Sequence, residues 1–185
     1  MTRASASRTL APRLKSGTKA KAPARLYTLE VAIMSGSVTA RFARANPVMA
    51  RTIEIRGDQT LARLHAAIFD AFDRFDEHHY EFQIGGTKPM DPRATRYGLW
   101  QPPGPFDRGE PVHSAARTKL DALELKAGDR FGYWFDFGDD WWHTIRVAAI
   151  AEVATRGRYP RVVARIGESP PQHPDWEEEE SANDG

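Results

Sequence analysis

The residues best equipped for chemistry lie in one run, Trp134-Phe135-Asp136-Phe137-Gly138-Asp139-Asp140-Trp141-Trp142-His143, which packs three acids, a glycine, a histidine and five aromatic side chains. Such a run admits three kinds of use. Asp136, Asp139 or Asp140 with His143, joined by the distant His78, could offer oxygen and imidazole ligands to Mg²⁺, Mn²⁺ or Zn²⁺. An ion held this way activates water for phosphoester hydrolysis, with a spare Asp or His as the base. The architectural use is different: Gly138 permits a tight turn, Asp139 or Asp140 bonds its backbone, Trp141 fills a core edge, and His143 donates to a buried acceptor. In the third, Trp134, Trp142, Arg146 and Arg51 form a platform of rings and cations for single-stranded nucleic acid or a peptide.

Composition weighs among these. The stretch from Asp139 to His143 crosses a strand pleat, so only a twisted turn converges it on one ion, and the chain has no Gly-rich phosphate loop. Residues 26–167 carry 19 basic and 18 acidic side chains, which argues against a large phosphate footprint. The reading that follows is a noncatalytic accessory or interaction protein with a protein or nucleic-acid partner; the alternative is a metal-dependent hydrolase. No cofactor is required beyond the divalent metal of that alternative. The 185 residues contain no cysteine, which excludes disulfides, thiolate metal sites and cysteine nucleophiles and fits a reducing compartment. No run of roughly 18 apolar residues is present, so the expectation is a soluble, cytoplasmic protein without membrane contact.

The elements that must position these groups follow from periodicity. Tyr27, Leu29, Val31 and Ile33 alternate with polar or small residues, as do Ile53 and Ile55 within 49–56, which predicts two antiparallel strands joined by a long connection. Leu61, Leu64, His65, Ile68 and Phe72 recur at helical spacing behind a cap at Asp58 or Thr60, and 80–84 reads as a third strand. Residues 87–118 hold six of the thirteen prolines and read as a long irregular insertion. A short turn of helix is expected at 120–125 and a last strand at 161–166. Phe131, Tyr133, Phe135 and Phe137 share a face with Ile145 and Val147 if hairpin partners sum to an even number. Phe137 opposite Trp141 across a three-residue loop satisfies this and puts His143 on the core face; a longer even-sum loop keeps the same faces. A two-residue turn would instead set Asp136 opposite His143.

The expected fold is therefore α+β, one prominent helix on a mainly antiparallel sheet of five or six strands. It spans 26–171, between a disordered basic tail at 1–25, with seven Lys/Arg and no acid, and a disordered acidic tail at 172–185. The basic tail suits solubility, weak contact with nucleic acid, or organelle targeting.

The Trp134–His143 run resembles the Tyr-Asp-Phe-Gly-Asp-x-Trp-x-His signature of the plasmid pRiA4b ORF-3-like family. Arg51 matches an arginine of the second strand, Leu61 and His65 a Leu-x-x-Leu-His helix, and Asp76, His78 and Phe82 an Asp-x-His-Leu-x-x-Phe motif. The resemblance covers residues 27–171 and implies an α+β protein of the kind linked to plasmids and insertion elements. Some relatives carry a resolvase-type label, but a catalytic serine of that class would sit in a folded domain, whereas Ser5, Ser7 and Ser16 lie in the basic tail. Four positions depart from the pattern: Phe135 for Tyr, Trp142 for Glu, His79 for Leu, and Gln172 for the acid after the Pro pair. The missing Glu leaves a site poorer in carboxylates.

Overall fold

The computed structural model describes residues 24–86, 88–99, 112–152 and 157–175. The expected tails up to residue 23 and from 176 onward, and the part of the insertion at 100–111, lie outside the described residues. Alternating side chains make β1 (Arg25–Ser35) and β2 (Ala50–Arg56) an antiparallel pair with Leu29 opposite Ile53. Their connection contains a short helix, α1 (Ala40–Ala45), whose first turn is closed by the Thr39 hydroxyl accepting from the Phe42 amide. The main helix, α2 (Leu61–Ala71), starts at a Thr60 cap and buries Leu61, Leu64, Ile68 and Ala71.

Six further strands follow: β3 (Tyr80–Ile84), β4 (Thr95–Gly98), β5 (His113–Ser114), β6 (Arg130–Phe135), β7 (Trp141–Glu152) and β8 (Arg161–Ile166), with a 3₁₀ turn at Leu120–Leu123. They join β1 and β2 in one sheet of order β5-β4-β3-β6-β7-β1-β2-β8, antiparallel except at β4–β5. The α+β class stands, but among the described residues the sheet has eight strands and is mixed. The two additional strands, β4 and β5, come from the stretch read as irregular. They are four and two residues long; β4 pairs with β3 and β5 with β4, and neither carries a periodicity that sequence alone could show.

One face of the sheet is the core. Tyr27, Leu29 and Val31 of β1, Ile53 and Ile55 of β2, Phe82 of β3, Phe131, Tyr133 and Phe135 of β6, and Ile145 and Val147 of β7 are buried with the apolar stripe of α2. Each large side chain buried this way contributes about 1.5–3 kcal/mol. Glu30, Glu81, Gln83, Trp134, Trp142, Thr144 and Arg146 take the opposite face, by the strand alternation that the registers impose.

The β6–β7 hairpin pairs Phe135 with Trp141, Trp134 with Trp142 and Tyr133 with His143. Its loop is five residues, 136–140, rather than three, but the partner sum stays even, so His143 lies in the core as expected. Phe137 leaves the core stripe and is 43% exposed. Asp136 and Asp140 both adopt left-handed backbone angles, φ 52° and 58°, which bend the loop sharply. Beneath it Trp141 is fully buried against Gly36, where a Cβ atom would sit 2.3 Å from the indole, so the close approach requires glycine. Among the described residues, no helix is long and apolar enough to cross a membrane.

Candidate functional site

Three segments distant in sequence meet at one end of the sheet: the α2–β3 connection, the β6–β7 loop, and the C-terminal strap at 167–175. They bring five ligating side chains together. His78 Nε2 lies 3.2 Å from Asp76 Oδ2 and 3.5 Å from Asp136 Oδ2; His173 Nε2 lies 3.6 Å from the same Asp76 oxygen. The other ring nitrogen of His173 is 3.0 Å from Asp139 Oδ2. Asp76, His78 and His173 are exposed, whereas the Asp136 side chain is only 7% exposed.

Local bonding explains the convergence. Asp136 Oδ1 accepts the amides of Gly138 and Asp139, a loop contact that leaves Oδ2 facing His78. The strap is placed by Gln172, which is buried: its Oε1 accepts the Phe75 and Asp76 amides while its Nε2 donates to the Asp76 carbonyl. A carboxylate could not donate that third bond, so the glutamine that departs from the family pattern is the residue that docks His173 beside Asp76. Arg74 adds a second hold by donating to the Pro170 carbonyl, its guanidinium stacked 3.8 Å over the Trp141 ring. Burial lowers the Arg74 pKa to about 10, which leaves it charged at neutral pH.

Of the residues singled out in the sequence, the structure brings His78, Asp136 and Asp139 together and separates Asp140 and His143 from them. Asp140 Oδ1 accepts both indole N–H groups of Trp134 and Trp142, each at 2.8 Å. Those rings are stacked 4.7 Å apart, and Phe137 caps the column 4.0 Å from Trp134. Asp140 therefore belongs to an aromatic column. His143 sits in the core against Phe72 and Tyr133, and its Nδ1 has no partner among the described residues. Burial, and then the positive charge of Arg74, push its pKa down to about 3, so the ring is neutral at physiological pH and a poor base.

The proposed platform is also rearranged. Arg51 is buried on the core face, donating to backbone carbonyls. Arg146 is bound bidentately to Glu30, at 2.6 and 2.9 Å. Trp134 presents its faces to Phe137 and Trp142 rather than to a ligand. The same side of the sheet instead offers a groove of about 530 Å³, floored by Gly132 and lined by Met34, Gln83, Pro89, Trp142 and Thr144. Gln83 is held in place, donating to Glu81 and accepting from the Met90 amide, and Arg96 neutralises Glu81 at 2.6 Å.

Residues 37–175 match the model of the plasmid pRiA4b ORF-3-like proteins, three quarters of the chain, and that span contains all five clustered side chains. The chain belongs to the pRiA4b ORF-3-like family. It is 28% identical over 127 residues to the uncharacterized protein y4hQ of Sinorhizobium fredii (strain NBRC 101917 / NGR234), an alignment covering 68% of this chain and 59% of y4hQ. The chain thus spans less than two thirds of that relative. The crystal structure of MM3350, a protein of unknown function from Methanosarcina mazei Go1, superposes with a TM-score of 0.61 at 23% identity, covering 86% of this chain and 80% of that one. That likeness establishes a shared fold. The two pRiA4b ORF-3-like motifs read from sequence, around Asp76-x-His78 and around Asp136 to Asp139, are thus adjacent in space. Sequence reading did not find His173 as their third partner. It follows the Pro pair in a segment without periodicity, and its only signal is the spacing of one residue from Gln172.

Proposed function

We propose that this pRiA4b ORF-3-like protein is a noncatalytic interaction module that holds an extended peptide segment of a protein partner in the groove on the sheet face opposite α2. The observation that carries this reading is the character of the groove. It combines apolar walls, Met34, Pro89 and Trp142, with the Thr144 hydroxyl, over a glycine floor that lets a ligand backbone approach closely. Its charged lining is mixed, Lys88 and Arg130 beside Asp129, which suits a peptide better than a run of phosphates. Asp140 is occupied with two indoles and His143 is enclosed, which further favours binding over catalysis.

The test is selection of random displayed peptides on the full chain, followed by affinity measurement on a Gly132→Trp variant. A Cβ at Gly132 meets only the Gln83 Cβ, at 3.6 Å, so the scaffold has room for the new side chain while the groove is filled. Enriched peptides should bind the variant at least about tenfold more weakly, a loss of about 1.4 kcal/mol, at unchanged thermal stability. Failure to enrich any peptide, or equal binding to both proteins, would overturn the reading.

A further inference from the structure

We infer that Asp76, His78 and His173, with Asp136 beside them, form a binding site for a first-row divalent cation, Zn²⁺ foremost, which ties the C-terminal strap to the α2–β3 connection. This site is separate from the groove and does not rest on the peptide reading.

The geometry is that of a coordination shell. A tetrahedral zinc with bonds of about 2.0–2.1 Å places neighbouring ligand atoms about 3.4 Å apart. The separations among His78 Nε2, Asp76 Oδ2, Asp136 Oδ2 and His173 Nε2 include 3.2, 3.5 and 3.6 Å edges. The ligand atoms of Asp76, His78 and His173 all fall within 4.8 Å of one another, so rotation of these exposed side chains brings them onto one ion, with Asp136 Oδ2 beside His78.

Two further observations point to an ion. Asp136 is 5% exposed, and its Oδ2 stands 3.5 Å from His78 Nε2, which puts a further carboxylate beside the three ligands. His173 is oriented as metal-bound imidazoles are: with Nδ1 donating to Asp139, its Nε2 lone pair is turned toward Asp76. Two imidazoles with a carboxylate select Zn²⁺ over Mg²⁺ or Ca²⁺, which prefer all-oxygen shells.

The full chain, treated with chelator, should bind one equivalent of Zn²⁺ by calorimetry, and its melting temperature should rise saturably with Zn²⁺ but not with Mg²⁺. Cobalt in the same site should show the intense visible absorption of tetrahedral coordination. His78→Ala and His173→Ala should each abolish the zinc-induced shift, and Asp139→Asn should weaken affinity by about 10–100-fold. His79→Ala, at the exposed neighbour of His78, should change nothing. Because both ligand histidines are exposed, their variants should fold, and a melt without metal checks that they do. No zinc binding by the wild-type chain, or binding that survives both histidine substitutions, would overturn the site.

Discussion

Replacing Arg51 by Met should destabilise the protein by about 3–5 kcal/mol in urea denaturation, the cost of removing a buried guanidinium that donates to five acceptors. Arg51 Nε donates to the Ala71 carbonyl at 2.9 Å, at the end of α2 where helix carbonyls lack intrahelical partners. Its Nη1 reaches the carbonyls of Ala50, Ile166 and Gly167 at 2.8, 3.0 and 3.1 Å, and its Nη2 reaches Ser169 Oγ at 2.8 Å. One guanidinium thus joins the C-terminus of α2, strand β2, the end of β8 and the start of the strap. Arg165 shares the Ala71 carbonyl, and the guanidinium of Arg51 also lies 4.7 Å from the Phe72 ring. Methionine preserves most of the aliphatic stem, so the loss measures the hydrogen bonds. Limited proteolysis should cut the strap of the variant faster than that of the wild type. A loss below about 1 kcal/mol would return Arg51 to the role of a surface cation.

Acidification should expose the second large effect, through His143. Its folded pKa is about 3, against about 6.5 in an unfolded chain. Above about pH 6.5 neither state is protonated and stability is complete. As pH falls below that value the unfolded chain takes up a proton that the folded core refuses, so stability falls by about 1.4 kcal/mol per pH unit until the folded pKa is reached. His65, half-buried against Tyr80 and hydrogen-bonded to Tyr133, is lowered to about 4 by burial and adds to the same slope. Denaturation at about pH 7 and about pH 5 should therefore show a wild-type loss on the order of 2–4 kcal/mol. In His143→Leu the slope should be shallower by about 1.4 kcal/mol per unit below about pH 6.5. Equal slopes in the two proteins would mean that His143 is solvated and able to titrate in the folded state.

Where the sequence was legible, one periodicity decided the outcome. The alternation of Tyr27, Leu29 and Val31 with polar residues, and the helical spacing of Leu61, Leu64 and Ile68, reflect burial of a single face and survive into the structure unchanged. The even-sum pairing of the hairpin was visible because both strands must bury one face; its loop length was not, because the left-handed Asp136 and Asp140 carry no hydrophobic signal. The short α1 and the pair β4 and β5 were hidden for a similar reason: each is held by its neighbours rather than by its own pattern.

The cluster was half legible. His78, Asp136 and Asp139 announced themselves by residue type within the family's motifs, but their partner His173 is 34 residues beyond Asp139 and is delivered by a buried glutamine. Asp140 looked equally suited to a metal, and only the fold shows that it lies between two indoles, one from each strand of the hairpin. Arg51 was misplaced because strand parity assigns a face but does not say that an arginine can occupy the core face; here five acceptors compensate its burial.

The measurement that bears most directly on the noncatalytic reading is turnover of bis(p-nitrophenyl) phosphate by the chelator-treated full chain, supplied in turn with Mg²⁺, Mn²⁺ and Zn²⁺. A noncatalytic binding module should hydrolyse this diester no faster than a His78→Ala/Asp136→Ala variant shown to be folded. Saturable, metal-dependent turnover by the wild type that disappears in the variant would contradict it and make the cluster a hydrolytic centre.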